Sequence, residues 1–373
     1  MVKRTFALIG YLLLVSVMFA QSFTEQEEVF ALKDAQGREY VLAGTLTVPQ
    51  ASQPKEGFPA VVLVTGSGLE DRDEEIFGHR PFKVIAEYLS EQGFVVLRCD
   101  DRGIGGSTGL FDDVTPHDLA QDVNALVSAL RKKPFVDAKK VGIVGHSEGG
   151  LLAAMAAAKD PEVGFVVMMA GPGKTMRQTL LEQNYEIFHL QGVPDSLINI
   201  RLAFMRDAFT TIDSVAEYRA SHPEDSTDRV KQLNKALLPL MKRHNKDLTK
   251  EQKQQVGLTT MECYGWALQM SQPYVGVSLN LDPLEYIAKM RCPLMAMNGS
   301  LDCQVNAGTH LSAIERVCEQ KGINAETVTL MNMNHLFQEC KTGAVEEYAE
   351  SGQSPALKAL EILGNWLQKV VAK

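Results

Sequence analysis

The chain has 373 residues, 45% of them hydrophobic and 22% charged, with a formal net charge of −9 and a pI of about 5.5. That is the composition of a globular protein with a large core, and it excludes a disordered or fibrous chain. No Lys/Arg block is present, so nucleic acid is not an expected partner.

The chain opens with Lys3 and Arg4, then an apolar run from Phe6 to Ala20. The run is short for a membrane span, and its flanks suit an export signal cut near Ala20. Removing residues 1–20 takes away the two positive charges, so −9 becomes −11. The mature protein is expected in the periplasm or medium, with no stable membrane span; retention of the segment as an anchor is the alternative. Export permits disulfides. The six cysteines lack C-x-x-C spacing, which argues against a zinc site.

Glu28–Leu32 and Glu39–Val48 flank an Asp-Ala-Gln-Gly turn and read as an antiparallel hairpin. Pro59–Val64 is a continuous apolar run, the pattern of a strand covered on both faces. It ends in Thr65-Gly66-Ser67-Gly68 and the acidic run Glu70–Glu75, either a solvated face or, around Arg72, a brace. Pro81–Gln92 is amphipathic and stops at Gly93, as a helix does. Phe94–Leu97 is a second buried strand, followed by a loop from Arg98 to Gly109. Thr115-Pro116 starts a helix that runs to about Lys133.

Val141–Val144, Gly145-His146-Ser147-Glu148-Gly149 and the small-residue helix after it form the strand–turn–helix context of a nucleophile elbow. A serine hydroxyl is a weak nucleophile and must be held where a base can take its proton. Gly164–Met169 is the next strand. The alternation implies a mostly parallel sheet with helices on both faces. From about residue 174 to 288 the periodicity is helical, which suggests an insertion over the active edge. Phe204, Met205, Phe209, Tyr264, Trp266 and Tyr274 within it either line a pocket or form core. The α/β pattern resumes with strands at Pro293–Met297 and Glu326–Met331, and helices at Asn306–Lys321 and Pro355–Val371. The expected division is 1–20 signal, 21–172 first part of the core, 173–288 helical cap, and 289–373 second part of the core.

Catalysts in such sheets sit at the carboxyl ends of strands, in the order Ser, Asp, His. Asp302 and His335 each follow a strand downstream of Ser147. His335 is the expected base and Asp302 the group that orients it. His310 is a rival base, but lies inside a predicted helix. His146 reads as a packing residue. The oxyanion needs two N–H donors: Glu148, and Ser67 or Gly68 from the loop after the Pro59–Val64 strand. Cys303 and Cys340 flank the acid and base, so a disulfide between them stands against two free thiols. The Asp100-Asp101-Arg102 run reads as an internal ion-pair cluster.

Three ordered motifs then stand out: Gly66–Gly68 with Asp71–Asp73, Asp100–Ser107, and Gly145–Gly149. With them the chain resembles the α/β-hydrolase family, and most closely a bacterial exported esterase subgroup, over about residues 28–371. Thr65 departs from the histidine that many such hydrolases carry before the oxyanion glycine. The resemblance implies hydrolysis of a small-molecule carboxylic ester through an acyl-enzyme, with no metal or organic cofactor. A peptidase of prolyl-oligopeptidase-like type and an acyl-thioesterase are the alternative activities. A non-enzymatic binding protein is disfavoured by the presence of all three catalytic residue types in order.

Overall fold

A computed structural model describes residues 22–110 and 114–373. The expected export signal lies outside the described residues. In chain order the elements are β1 (Phe23–Lys33), β2 (Glu39–Pro49), β3 (Phe58–Val64), α1 (Pro81–Glu91), β4 (Val95–Cys99), α2 (Pro116–Arg131), β5 (Val136–His146), α3 (Glu148–Lys159) and β6 (Val166–Met169). A helical block follows: α4 (Met176–Leu190), α5 (Asp195–Ser221), α6 (Arg229–His244), α7 (Lys250–Gln255), α8 (Thr260–Met270), α9 (Pro273–Ser278) and α10 (Pro283–Ile287). The chain then returns through β7 (Leu294–Gly299), α11 (Ala307–Lys321), β8 (Ala325–Leu330) and α12 (Leu357–Val371).

One eight-stranded sheet runs in the order β1-β2-β4-β3-β5-β6-β7-β8. The hairpin β1–β2 and the β2–β4 pair are antiparallel, and every other neighbouring pair is parallel. Successive strand residues point to opposite faces, and the apolar runs are long because both faces are covered. Ala60, Val62, Val166, Met168, Leu294 and Ala296 pack beneath α2, α3, α10 and α11. Their neighbours Val61, Leu63, Val167, Met169, Met295 and Met297 pack beneath α1 and α12. The expected fold class is therefore the observed one.

Local chemistry sets the helix ends. Thr115 caps α2 in a reciprocal box with Asp118, with Pro116 in the first turn. Gly322 ends α11 in the left-handed region at φ 66°. The strand β4 runs further than its apolar residues suggest, taking in Arg98 and Cys99. Arg98 is buried there because its guanidinium meets Asp73 (2.8 Å), Glu25 (2.8 Å) and the Thr47 hydroxyl (2.9 Å).

The helical block has its own core. Phe204, Met205 and Phe209 are buried in it, Trp266 packs against it, and Tyr264 is exposed. It is clipped to the sheet domain through α4. The Gly173 N–H donates to His310 Nδ1 at 2.9 Å. Glu182 on α4 accepts from Thr309 (3.0 Å) and Lys174, and lies 3.3 Å from His310 Nε2. Burial opposes the Glu182 charge, but these partners hold its pKa down at about 2. His310 is thus bound into the clip between α4 and α11. No described helix is long and apolar enough to cross a membrane. Cys303 and Cys340 are both free, so the two-thiol alternative holds.

The Asp100–Arg102 run does form an internal ion-pair cluster. Arg102 makes a two-pronged contact with buried Asp122, at 2.6 and 2.7 Å, and stacks over Tyr40, whose hydroxyl also meets Asp122. Arg102→Met would leave Asp122 buried without its cation. Urea unfolding is expected to show a loss of about 3–5 kcal/mol, and Arg102→Met/Asp122→Leu to recover most of it. Equal midpoints for the single variant and the parent would contradict this account.

Candidate active site

The elbow is built by two contacts that only glycine allows. A Cβ on Gly145 would lie 2.0 Å from the Gly149 carbonyl oxygen, and one on Gly149 would lie 2.1 Å from that of Val64. Strand β5 can therefore turn into α3 within one residue. That residue, Ser147, takes φ 53° and ψ −120°, a backbone that costs a non-glycine residue about 1–3 kcal/mol. The turn leaves Ser147 half-buried at the carboxyl end of the sheet. Its hydroxyl makes no hydrogen bond with any described group, His335 included. Such contacts in unliganded enzymes often tighten only when substrate binds.

Asp302 follows β7 and His335 follows β8. Asp302 is 4% exposed, and its carboxylate is fully engaged: Oδ1 accepts from the N–H of Gln304 (2.8 Å) and Val305 (2.9 Å), and Oδ2 meets His335 Nδ1 at 2.8 Å. A carboxylate at Nδ1 places the proton there and leaves the Nε2 lone pair to act as a base. Leu301 N–H donates to the Met333 carbonyl at 2.9 Å, tying the acid loop to the base loop. Buried Asn334 then closes the base loop by accepting from the N–H groups of Leu336 and Gln338, each at 3.0 Å.

The loop after β3 passes beside the elbow. The point where a Gly66 Cβ would sit is 3.4 Å from the Ser147 Cβ. Gly66 donates its N–H to Glu74 at 2.8 Å, so that N–H is spoken for. The N–H groups of Ser67, Gly68 and Glu148 donate to no described group. Gly68 at φ 125° holds a conformation that suits glycine. Thr65 donates its hydroxyl to Asp101 (2.8 Å), and the Glu70 N–H donates to the same carboxyl (2.9 Å). Burial raises the Asp101 pKa to about 7. Thr65, Asp101 and Glu74 thus support this strap where other hydrolases use a histidine. Arg72 acts as the expected brace, gripping Asp100 at 2.8 and 3.0 Å and Glu27 at 2.7 Å.

The acidic run is not a solvated face: Glu74 is buried and takes φ 53°, and Glu75 alone in the run is exposed. The sequence offers no signal for that backbone. His146 is likewise more than packing, since both its ring nitrogens are engaged, by Glu74 and by the His335 carbonyl.

A cavity of about 270 Å³ opens at Ser147. Ser67, Ser147, Glu148 and Gln304 line one side, and Met176, Leu180, Met270 and Tyr274 of the helical block line the other. Its size falls just below the usual range for drug-sized ligands, about 300–1,000 Å³. Glu148 is 3% exposed; burial raises its pKa, while the Tyr274 and Ser67 hydroxyls hydrogen-bond it. Tyr274 was one of six aromatic or apolar candidates in the block, and it is the one that reaches the cavity. Among the described residues no group of His, Cys, Asp and Glu is placed to hold a metal ion.

Four likenesses to known proteins bear on this arrangement. Esterase EstD of Thermotoga maritima is 34% identical over 142 residues, which is 38% of this chain and 33% of EstD. Human dipeptidyl peptidase 8 is 28% identical over 155 residues, 40% of this chain and 17% of that protein. The chain thus matches a third or less of these relatives' length. Among solved structures, the α/β hydrolase GrgF from Penicillium sp. sh18 superposes with a TM-score of 0.54 at 16% identity, covering 93% of this chain and 100% of GrgF. A family profile described as X-Pro dipeptidyl-peptidase (S15 family) matches residues 37–336. The GrgF superposition shows the α/β-hydrolase fold, and on the profile match the chain belongs to the X-Pro dipeptidyl-peptidase (S15) family.

Proposed function

We propose that this hydrolase cleaves small carboxylic esters through an acyl-enzyme formed on Ser147. The observation that carries the reading is the 2.8 Å contact between Asp302 and His335 Nδ1, at the ends of adjacent strands, beside a serine held on a strained turn. His335 Nε2 takes the Ser147 proton as the hydroxyl attacks the ester carbonyl. Asp302 stabilises the resulting imidazolium. The unengaged N–H groups of Glu148 and of Ser67 or Gly68 receive the oxyanion. His335 then protonates the leaving alcohol, and water repeats the sequence on the acyl-enzyme.

The helices α4–α10 serve as a cap, and the apolar side chains they bring to the cavity suit a short acyl or alcohol group. EstD's name favours an ester. The S15 family match and the likeness to dipeptidyl peptidase 8 favour a second reading, cleavage of a dipeptide from an aminoacyl-prolyl substrate. The N-terminal segment 1–20 supports export of the mature protein.

Ser147→Ala is expected to lower kcat by about 10⁴–10⁶-fold and to abolish labelling by a fluorophosphonate. Asp302→Asn should cost about 10⁴-fold through the wrong imidazole tautomer, whereas His310→Gln retains turnover per folded molecule. Full ester turnover by Ser147→Ala would sink the assignment. Short p-nitrophenyl esters, aminoacyl-prolyl amides and acyl-thioesters, run in parallel on one preparation, should give the highest kcat/KM for the esters. A higher value for the prolyl amides would replace the esterase reading with the peptidase one. Edman sequencing of protein secreted from its expression host should begin at Gln21; a chain still starting at Met1 would refute cleavage.

A further inference from the structure

His146 precedes the proposed nucleophile, at the last position of β5, and its ring is buried. Its Nδ1 lies 2.9 Å from Glu74 Oε1 and its Nε2 lies 3.0 Å from the His335 carbonyl oxygen. A carbonyl oxygen can only accept, so Nε2 carries a proton. Glu74 Oε1 already accepts from the Gly66 N–H at 2.8 Å and faces Nδ1 as well. A neutral imidazole has one N–H and cannot serve two acceptors. Two states satisfy both contacts, an imidazolium beside the Glu74 carboxylate or a neutral ring accepting from a protonated Glu74, and the raised pKa of the ring together with the Gly66 N–H on Oε1 selects the ion pair.

These contacts join the neighbouring strands β3 and β5 to β8, across two intervening strands. Gly66 and Glu74 lie in the loop after β3, His146 ends β5, and His335 follows β8, with β6 and β7 between. We propose that Glu74 and His146 are positioning residues: a buried, charge-paired clamp that runs from the Gly66 N–H through Glu74 and His146 to the His335 carbonyl and holds the oxyanion strap and the general base at a fixed separation. This rests on the reading of Ser147 and His335 given above. The clamp touches neither substrate nor reacting atoms. It acts because the strap is fixed at Gly66, next to the donor N–H groups, and the base is fixed through its own main chain.

The charged and titratable groups facing the ring are Glu74 and Glu70 from the strap, Asp302 from the acid loop, and His335, whose ring centroid is 4.9 Å away. Burial disfavours the cation, but the pull of Glu74, its hydrogen bond and the His335 carbonyl outweigh it, and the His146 pKa stands at about 9. The sign follows. The folded-state value lies above that of a free histidine, about 6.5, so the clamp is complete below that pH and is lost as pH rises through about 9.

The test uses Glu74→Gln beside the parent enzyme, with competent serines counted by fluorophosphonate titration. The amide cannot supply the charge, so the imidazolium becomes unfavourable. Per titrated site, kcat is expected to fall about 100-fold, the scale of a 1 Å misplacement, with KM changed less than about threefold. The basic limb of the kcat profile should move from about pH 9 in the parent to below neutrality in the variant. A merely destabilised protein would lose titratable sites without moving that limb. In parallel, ¹⁵N-histidine NMR of the parent at pH 7 should show one buried ring with both nitrogens protonated, titrating near 9 and absent in His146→Gln. Parent-like kcat and an unmoved limb in Glu74→Gln, or a neutral His146 ring at pH 7, would overturn the proposal. Turnover surviving in Ser147→Ala would instead overturn the nucleophile assignment, and the NMR result would still report on the ring.

Discussion

The site depends on the Asp302–His335 hydrogen bond, and that bond depends on two parallel strands delivering their loops to the same end of the sheet. Strands β7 and β8 pair in register from Leu294↔Ala325 to Gly299↔Leu330, so the acid and base loops leave the sheet side by side. Three donors hold the Asp302 carboxylate, which leaves its ring-facing oxygen no freedom to choose another partner. The imidazole is thereby given one tautomer and one face. The glycine contacts of the elbow bring the Ser147 backbone to the carboxyl end of the same sheet through main-chain geometry alone.

Around the serine stand two buried acids with opposite surroundings. Glu74 Oε1 faces a histidine ring and a main-chain N–H. Glu148 faces the Ser67 and Tyr274 hydroxyls, and burial drives its carboxyl toward the neutral form. The contrast suits the chemistry. A second unmatched negative charge beside the N–H groups of Ser67, Gly68 and Glu148 would oppose the oxyanion proposed to form there. The Glu148–Tyr274 contact also joins the first turn of α3 to the helical block, so the cavity wall and the helix after Ser147 are mechanically linked.

Much of this was legible in the residues. The period-two burial of β3, β6 and β7 leaves apolar runs that announce strands covered on both faces, and Gly322, Thr115 and Pro116 mark helix ends by known backbone preferences. That Asp302 and His335 would meet was legible because each follows such a strand. Glu74 was not, because a buried acid and a solvated one look alike inside Glu-Asp-Arg-Asp-Glu-Glu, and only the positive φ turns it inward. Arg98 looked like a loop residue because its burial depends on Asp73 and Glu25, which come from distant segments. The role of Tyr274 was hidden for a similar reason: whether a tyrosine in a helical insertion reaches a cavity depends on how that insertion docks.

The central claim is that an acyl group passes through Ser147. Rapid-quench intact-mass spectrometry during turnover of a p-nitrophenyl ester addresses it directly. The account predicts a transient species heavier by one acyl group, with the added mass mapping to the peptide that contains Ser147. Full turnover with a chain that never gains mass, or an acyl group on another residue, would contradict it.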